Sequence, residues 1–305
     1  VSINPAKIIL YFRVLYGRAC WHKGFSTQLR LHPLSCFSWV KCWWAAFVLF
    51  VIHPLTTQAA FEFQPIGAHT AGAGDVGVAL AVGASGMFWN PAAMAWGKRV
   101  SVFGAYDRPF GMAELATQAL SAGVRAGRHG VGARYTGFGF ELYREQVFGL
   151  VYGVRVSQSA GLGVGMRALQ VTAVGFPGRQ WVVFDLGLRV RLNKGVFLGV
   201  AARNAGGVRT ALLGQGGAVG VGVEVLPTVM VVADVQKEAN LAIGAGIGLL
   251  FLAHPTLVLR TGAGSRPERL SAGFGVQKGG LSVDYAILWH TVLGVSHRAS
   301  ITFAY

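Results

Sequence analysis

Apolar and non-apolar residues alternate along most of this chain. In "FDLGLRVRL", residues 184–192, Phe184, Leu186, Leu188, Val190 and Leu192 fall on one parity, and Asp185, Gly187, Arg189 and Arg191 on the other. Period two marks an extended strand, because successive side chains point to opposite faces. From residue 98 onward the pattern recurs about fourteen times, in runs of roughly 8 to 12 residues separated by Gly/Pro/Asn/Arg-rich turns. "VFGLVYGVRV" sets Phe148, Leu150, Tyr152, Val154 and Val156 against Gly149, Gly153 and Arg155. "GLGVGMRALQ" sets Leu162, Val164, Met166 and Ala168 against Gly161, Gly163, Gly165 and Arg167. "GVFLGVAARN" repeats the rule with Arg203 on the small-residue face, and "GAVGVGVEVL" with Glu224. No amphipathic helix is evident after residue 98.

A water-facing sandwich sheet would carry rows of Lys, Glu and Thr on its second face. Here that face is mostly Gly, Ala and Ser with isolated Arg, which suits a crowded interior, and the greasy face suits lipid. A strand of about 9 to 11 residues is long enough to cross a bilayer with tilt. A sheet in lipid must close on itself, since an open edge would leave backbone polar groups unsatisfied. The pattern therefore predicts an all-β fold, a transmembrane antiparallel barrel of about fourteen strands spanning 98–305. The final run, "LGVSHRASITFAY", places His297, Ala299, Ile301, Phe303 and Tyr305 outward and Arg298, Ser300 and Thr302 inward. An aromatic end in the lipid-facing register is how outer-membrane barrels finish, so Phe303 and Tyr305 are the candidate signal for the barrel-assembly machinery. Tyr106, Tyr135, Tyr143, Trp181, Tyr285 and Trp289 lie near run ends, as interface girdles would.

Composition reinforces the membrane reading: 13% of residues are charged and mean hydropathy is +0.48, against about 25% charge in soluble domains. Spanning helices would need about 18 to 20 consecutive apolar residues. The best stretch, "NLAIGAGIGLLFLAHPTLVL", instead alternates Gly244, Gly246 and Gly248 with Ile243, Ala245, Ile247 and Leu249. Charge divides the chain. Residues 1–60 hold six Lys/Arg and no acid, and the rest 21 Lys/Arg against 12 acids. All three cysteines, Cys20, Cys36 and Cys42, lie in the first part. Residues 41–60 read as a secretory signal: Lys41, an apolar run from about Trp43 to Ile52, and small residues for cleavage after Ala59 or Ala60. Residues 1–40 read as an upstream leader or the product of a start placed too far upstream, with a basic cytoplasmic arm or an anchor as alternatives.

Residues 61–97, "FEFQPIGAHTAGAGDVGVALAVGASGMFWNPAAMAWG", depart from the barrel pattern. They are rich in small residues, nearly free of charge, and in need of a protected place, which a barrel lumen supplies. This stretch, with its glycine-rich opening and its "FWNPAAMA" close, resembles the FadL-type outer-membrane transporters and their PorV-like relatives. "GSRPERLSAGFGVQKGGLSVDYAILWHTVLGVSHRASITFAY" is similar to the last hairpins of the PorV-like branch. The resemblance implies a 14-stranded barrel whose lumen is plugged by an N-terminal hatch, with Asn90, Pro91 and Ala92 packing on the inner wall and Phe88 and Trp89 beside them. It also implies either passive uptake of long-chain fatty acids or other hydrophobic compounds, with the hatch moving to open a path to a gap in the wall, or a PorV-like part in protein secretion. The chain is short, about 245 residues after cleavage, so the long outer loops of the well-studied transporters are largely absent.

Other chemistry finds little support. "GAGDVG", "GLGVGM" and "GAGIG" lack the strand-before, helix-after context of a dinucleotide fingerprint. The histidines after the leader (His69, His129, His254, His290, His297) show no ligand spacing, and His297 and Ser300 point to opposite faces. No enzyme activity, metal or cofactor is expected, and no basic cluster with interleaved aromatics suggests nucleic acid. The inward arginines are more informative. Arg155, Arg167, Arg189, Arg191 and Arg203, with Arg125, Arg134, Arg260 and Arg298, outnumber the inward acids Asp185, Glu224, Asp234 and Asp284. They could seat a carboxylate or phosphate, or pair with those acids and with hatch carbonyls. Three functions stay open: a monomeric outer-membrane channel for hydrophobic cargo, a scaffold for secreted or surface proteins, and a small-solute porin. Outer-membrane lipid is the expected surrounding in each.

Overall fold

The computed structural model describes residues 60–193, 195–208, 210, 213–239, 241–266 and 268–305. The leader and nearly all of the proposed signal segment lie outside these residues.

Fourteen antiparallel strands close into one barrel: β1 (Val100–Arg108), β2 (Thr117–Ala126), β3 (His129–Phe140), β4 (Tyr143–Arg155), β5 (Ala160–Ala173), β6 (Phe176–Asn193), β7 (Val196–Arg203), β8 (Gly216–Leu226), β9 (Val229–Glu238), β10 (Gly244–His254), β11 (Leu257–Ser265), β12 (Glu268–Lys278), β13 (Leu281–His290) and β14 (Gly294–Ala304). Each strand pairs with its sequence neighbours, and β1 closes on β14 from Ser101↔Ala304 to Arg108↔His297. Closure leaves no free sheet edge along most of the wall, the condition for crossing lipid with strands. Among the described residues no helix is long and apolar enough to cross a membrane.

The alternation resolves as the pattern requires. Phe148, Leu150, Leu162, Val164, Phe184, Leu186, Val219, Ile247, Ile301 and Phe303 are exposed on the outer face, while Asp185, Arg189, Asp234, Asp284, Arg298 and Ser300 are buried within. Two of the proposed girdle aromatics face the other way. Trp181 packs inside against Leu169, Val183 and Phe61, and Tyr143 donates to inward Glu145 at 2.5 Å. Both have the parity of their buried neighbours, and position near a strand end does not override parity.

Residues 60–97 run through the interior. They form two short helices, α1 (Ala68–Ala71) and α2 (Gly83–Gly86), and a 3₁₀ turn over Pro91–Ala95. Strand side chains satisfy their backbone from all round the barrel: Ser300 Oγ accepts from Ala68 N (3.1 Å), Ser101 Oγ from Ala84 N (3.0 Å), Ser271 Oγ from Gly74 N (3.0 Å), and Asp234 Oδ2 from Gly77 N (2.7 Å) and Val78 N (2.9 Å). The inner-face glycines make room for this chain. A Cβ on Gly163 would stand 2.2 Å from the Pro91 carbonyl carbon, and one on Gly187 would stand 2.1 Å from Asn90 Oδ1. The buried apolar core, including Met87, Trp89, Met94 and Phe103, is the seam between segment and wall.

One stretch of wall is uneven. β6 pairs with β7 only from Leu186 onward, so Phe176–Asp185 stand beyond the end of β7. Beside them runs the connection 204–215, joined by Ala205 N to Phe184 O at 2.7 Å and Asn204 N to Asp185 Oδ1 at 3.0 Å.

Candidate luminal binding site

The "FWNPA" motif sits at the centre of the lumen because its polar groups find partners only there. Asn90 is fully buried. Its Nδ2 donates to the carbonyls of Leu188 (2.9 Å) on β6, Val200 (3.3 Å) on β7 and Val78 (3.2 Å), while Oδ1 accepts from Ala92 N (2.9 Å) and so starts the 3₁₀ turn. An asparagine at a helix N-cap serves a known purpose. This one also joins two strands to the segment. Pro91 and Ala92 lie against Gly163 and Gly187. Trp89 donates from Nε1 to Ile66 O at 2.9 Å and meets Phe63 edge-on at 5.3 Å. Phe88 lies 5.7 Å from the Arg134 guanidinium.

On the side of this motif away from the chain terminus is a cavity of about 100 Å³. Its apolar lining includes the rings of Phe61, Phe63, Phe88, Trp89 and Phe138, and its polar lining includes Arg134, Arg167, Arg203, Asp185, Glu145 and Glu238. Asp185 holds two arginines, Arg167 at 2.6 Å and Arg134 at 3.1 Å; Arg134 also donates to the Met87 carbonyl. Arg203 is held differently. Its guanidinium lies 3.4 Å from the Phe63 ring centroid and 3.6 Å from Glu238, and Nη1 and Nη2 make no hydrogen bond among the described residues. A buried guanidinium with unused donors can accept a carboxylate, carbonyl or other acceptor atom.

A second ionic cluster fastens the segment to the opposite wall. Asp75 is 2.6 Å from Arg298 and 2.8 Å from Arg269, and Arg298 also reaches Asp107 at 2.7 Å. Burial by itself would push the Asp75 carboxyl up, but the two guanidinium groups outweigh it and hold the group below its ordinary value. Nearby, burial pushes the His69 imidazole down to about 4, so it stays neutral near pH 7.

Of the five arginines proposed for cargo, the structure brings Arg167 and Arg203 to the cavity and leaves three elsewhere. Arg155 and Arg189 lie over Trp96, at 5.6 and 5.2 Å, and Arg191 over Phe197 at 5.5 Å, toward the barrel end where β14 finishes. Parity places a residue on a face but not at a height, so the five shared a face without sharing a site. Glu224 and Arg191 are exposed at that end. The same parity, extended further along β1, β4 and β9, would have found Asp107, Glu145 and Glu238. Asp75 gave no periodic signal; its mark was being one of two acids in residues 61–97. His297 bonds the Tyr285 hydroxyl at 2.6 Å on the outer face while Ser300 serves the lumen, so the pair is no catalytic dyad. Among the described residues no group of three or more His, Cys, Asp or Glu could hold a metal.

No family model and no curated protein sequence matches the chain. Solved structures do match. The CymD monoaromatic hydrocarbon channel is similar at 14% identity and a TM-score of 0.63, over 81% of this chain and 99% of that one. A Pseudomonas aeruginosa FadL homologue is similar at 12% and 0.59, over 80% and 99%. The P. putida toluene transporter TodX is similar at 10% and 0.58, over 80% and 99%. The fold is that of the FadL-type outer-membrane barrels.

Proposed function

We propose that the protein is a bacterial outer-membrane channel for small hydrophobic molecules, not an enzyme, with residues 61–97 acting as a hatch. The observation that carries this reading is the luminal cavity, lined by aromatic rings and by the Arg203 donors stacked on Phe63, inside a barrel of the fold that hydrocarbon channels share. Its volume sets the cargo. At about 100 Å³ the cavity is smaller than the roughly 150 Å³ apolar cavity that holds benzene, so it seats the polar head of a cargo molecule, and an aromatic ring or a longer chain needs residues 61–97 to shift. A long-chain fatty acid would place its carboxylate at Arg203 and leave its tail outside until the hatch moves. Arg203 and Gly216, at the facing ends of β7 and β8, and Gly214 between them line the cavity beside the unpaired part of β6, which favours a sideways path there. A filled lumen argues against a wet, small-solute pore.

The test is binding of toluene and of a fluorescent long-chain fatty acid to the full chain in detergent, comparing wild type with Arg203→Ala and Arg155→Ala. Saturable binding that Arg203→Ala weakens and Arg155→Ala leaves alone supports the channel. Absent binding in a barrel that migrates as folded supports the second reading, a scaffold for secreted or surface proteins, which the filled lumen and short loops favour.

A further inference from the structure

The arginines that miss the cavity form a surface of their own. Arg99, Arg125, Arg128, Arg155 and Arg191, exposed or half-exposed, lie toward the rim where β1 starts and β14 ends, with Arg189 buried beneath them, and none of the six is in an ion pair among the described residues. Their partners are carbonyls and rings. Arg125 donates to Gly97 O (2.9 Å) and Gly127 O (2.8 Å), Arg155 to Gly127 O (3.1 Å) and Arg189 to Ala79 O (2.8 Å). Trp96 and Phe197 lie beneath the guanidinium groups of Arg155, Arg189 and Arg191. Backbone bonds set them side by side: Arg125 N donates to Arg99 O at 2.7 Å and Arg155 N to Arg128 O at 2.8 Å. Glu224, on β8 beyond the hairpin turn, forms no ion pair with any of them. Lys98 adds a further exposed cation.

The geometry points to this arc as the docking site for an acidic, extended protein segment on the periplasmic side. Three features select that occupant. The arc runs from β1 to β6, five strand spacings of about 4.8 Å each or roughly 24 Å. One carboxylate cannot engage such a width, whereas about seven extended residues can. Arg125, Arg155, Arg189 and Arg191 share the inward register of their strands, so they border the lumen mouth and face away from the lipid headgroups. Finally, connections at this rim are two to four residues long, as in 127–128, 156–159 and 279–280, while the other rim carries 109–116 and 204–215. Short turns mark the periplasmic side of such barrels. The inference is independent of what crosses the barrel.

The experiment measures fluorescence anisotropy of labelled octaglutamate with the full chain in phosphatidylcholine nanodiscs. Octaglutamate is expected to bind, octaglutamine not to, and added salt to weaken binding because the site is solvent-exposed. Arg128→Glu with Arg191→Glu, both exposed positions, is expected to weaken binding about tenfold or more. Arg179→Glu, exposed at the other rim, is expected to leave it unchanged. Should the reversal fail to fold, Arg128→Gln with Arg191→Gln is read instead, with a smaller loss expected. Wild-type affinity in the rim variants overturns the proposal. So does loss of peptide binding in phosphatidylglycerol nanodiscs, which would assign the arc to anionic lipid headgroups.

Discussion

The lumen holds two populations of arginine, and they are stabilised by different means. Arg134, Arg167, Arg203, Arg260, Arg269 and Arg298 each lie within 4 Å of a carboxylate, and their side chains are one-sixth exposed or less. The rim set, from Arg99 to Arg191, rests on carbonyls and aromatic rings. Desolvation explains the division. A charge taken out of water needs a partner of opposite sign, and one near water does not. Arg189 is the exception, buried yet held by the Ala79 carbonyl and the rings of Trp96 and Phe197. Removing a partner from the first set should therefore disturb the fold, whereas removing an exposed member of the second should disturb only what docks there.

The sharpest break of this contrast is Asp75→Asn. It leaves Arg269 and Arg298 buried with one carboxylate fewer, a loss on the order of 3 kcal/mol or more. Because Asp75 ties residues 60–97 to β12 and β14, the expected result is reduced hydrogen-exchange protection of that segment ahead of the strands. Equal loss throughout the barrel would mean that the cluster stabilises the wall and not residues 60–97. Asn90→Ala comes next. It removes two N–H donors shared among three carbonyls and the acceptor of the Ala92 N–H, at about 1–3 kcal/mol for an unsatisfied buried group. The expected outcome is a lower urea midpoint, with Asn90→Asp failing to restore it because a carboxylate has no N–H to give.

The wall was legible in the sequence because lipid leaves few choices: parity fixed the face of Phe184 and Asp185, and closure followed from backbone hydrogen bonding. The inner glycines were legible as a crowded interior, and the structure identifies the crowd. Gly163, Gly187, Gly199 and Gly248 are each where the backbone or motif side chain of residues 60–97 comes within 2.1 to 2.3 Å of a would-be Cβ. Height along the strand was not legible, since it depends on tilt and stagger set between neighbours. Hence Arg203 and Arg155 were grouped from sequence and parted in space. The ion pairs of Asp75 were hidden for another reason: its partners are more than 190 residues away, and no periodicity links residues 60–97 to the wall around them.

A comparison of Arg203→Ala with Arg155→Ala sharpens the division at smaller cost. Arg203→Ala removes a guanidinium stacked on Phe63 and leaves Glu238 short of a partner, so a modest drop in melting temperature is expected together with lost ligand binding. Arg155→Ala removes a carbonyl contact and a ring contact near water, and stability within about 0.5 kcal/mol of wild type is expected. Equal destabilisation by the two would erase the distinction between populations.

The smallest expected effect is on pH. His69 packs edge-on to Phe103 at 6.0 Å, and it feels Asp284 in one direction and Arg260 and Arg298 in the other. Its folded value is about 4 against 6.5 in the unfolded chain, so the unfolded state binds the proton first and stability declines as pH falls from about 6.5 to 4. Asp75 behaves differently in timing but not in sign. Its value is depressed in the folded state, so its contribution is complete above the ordinary carboxylate value and is lost only as pH drops through the lower one. Exchange protection of residues 60–97, corrected for the intrinsic rate, should thus decline in two stages on acidification. His69→Gln should remove the first stage and leave the second. An unaltered profile in that variant would place the mild-acid sensitivity elsewhere in the barrel.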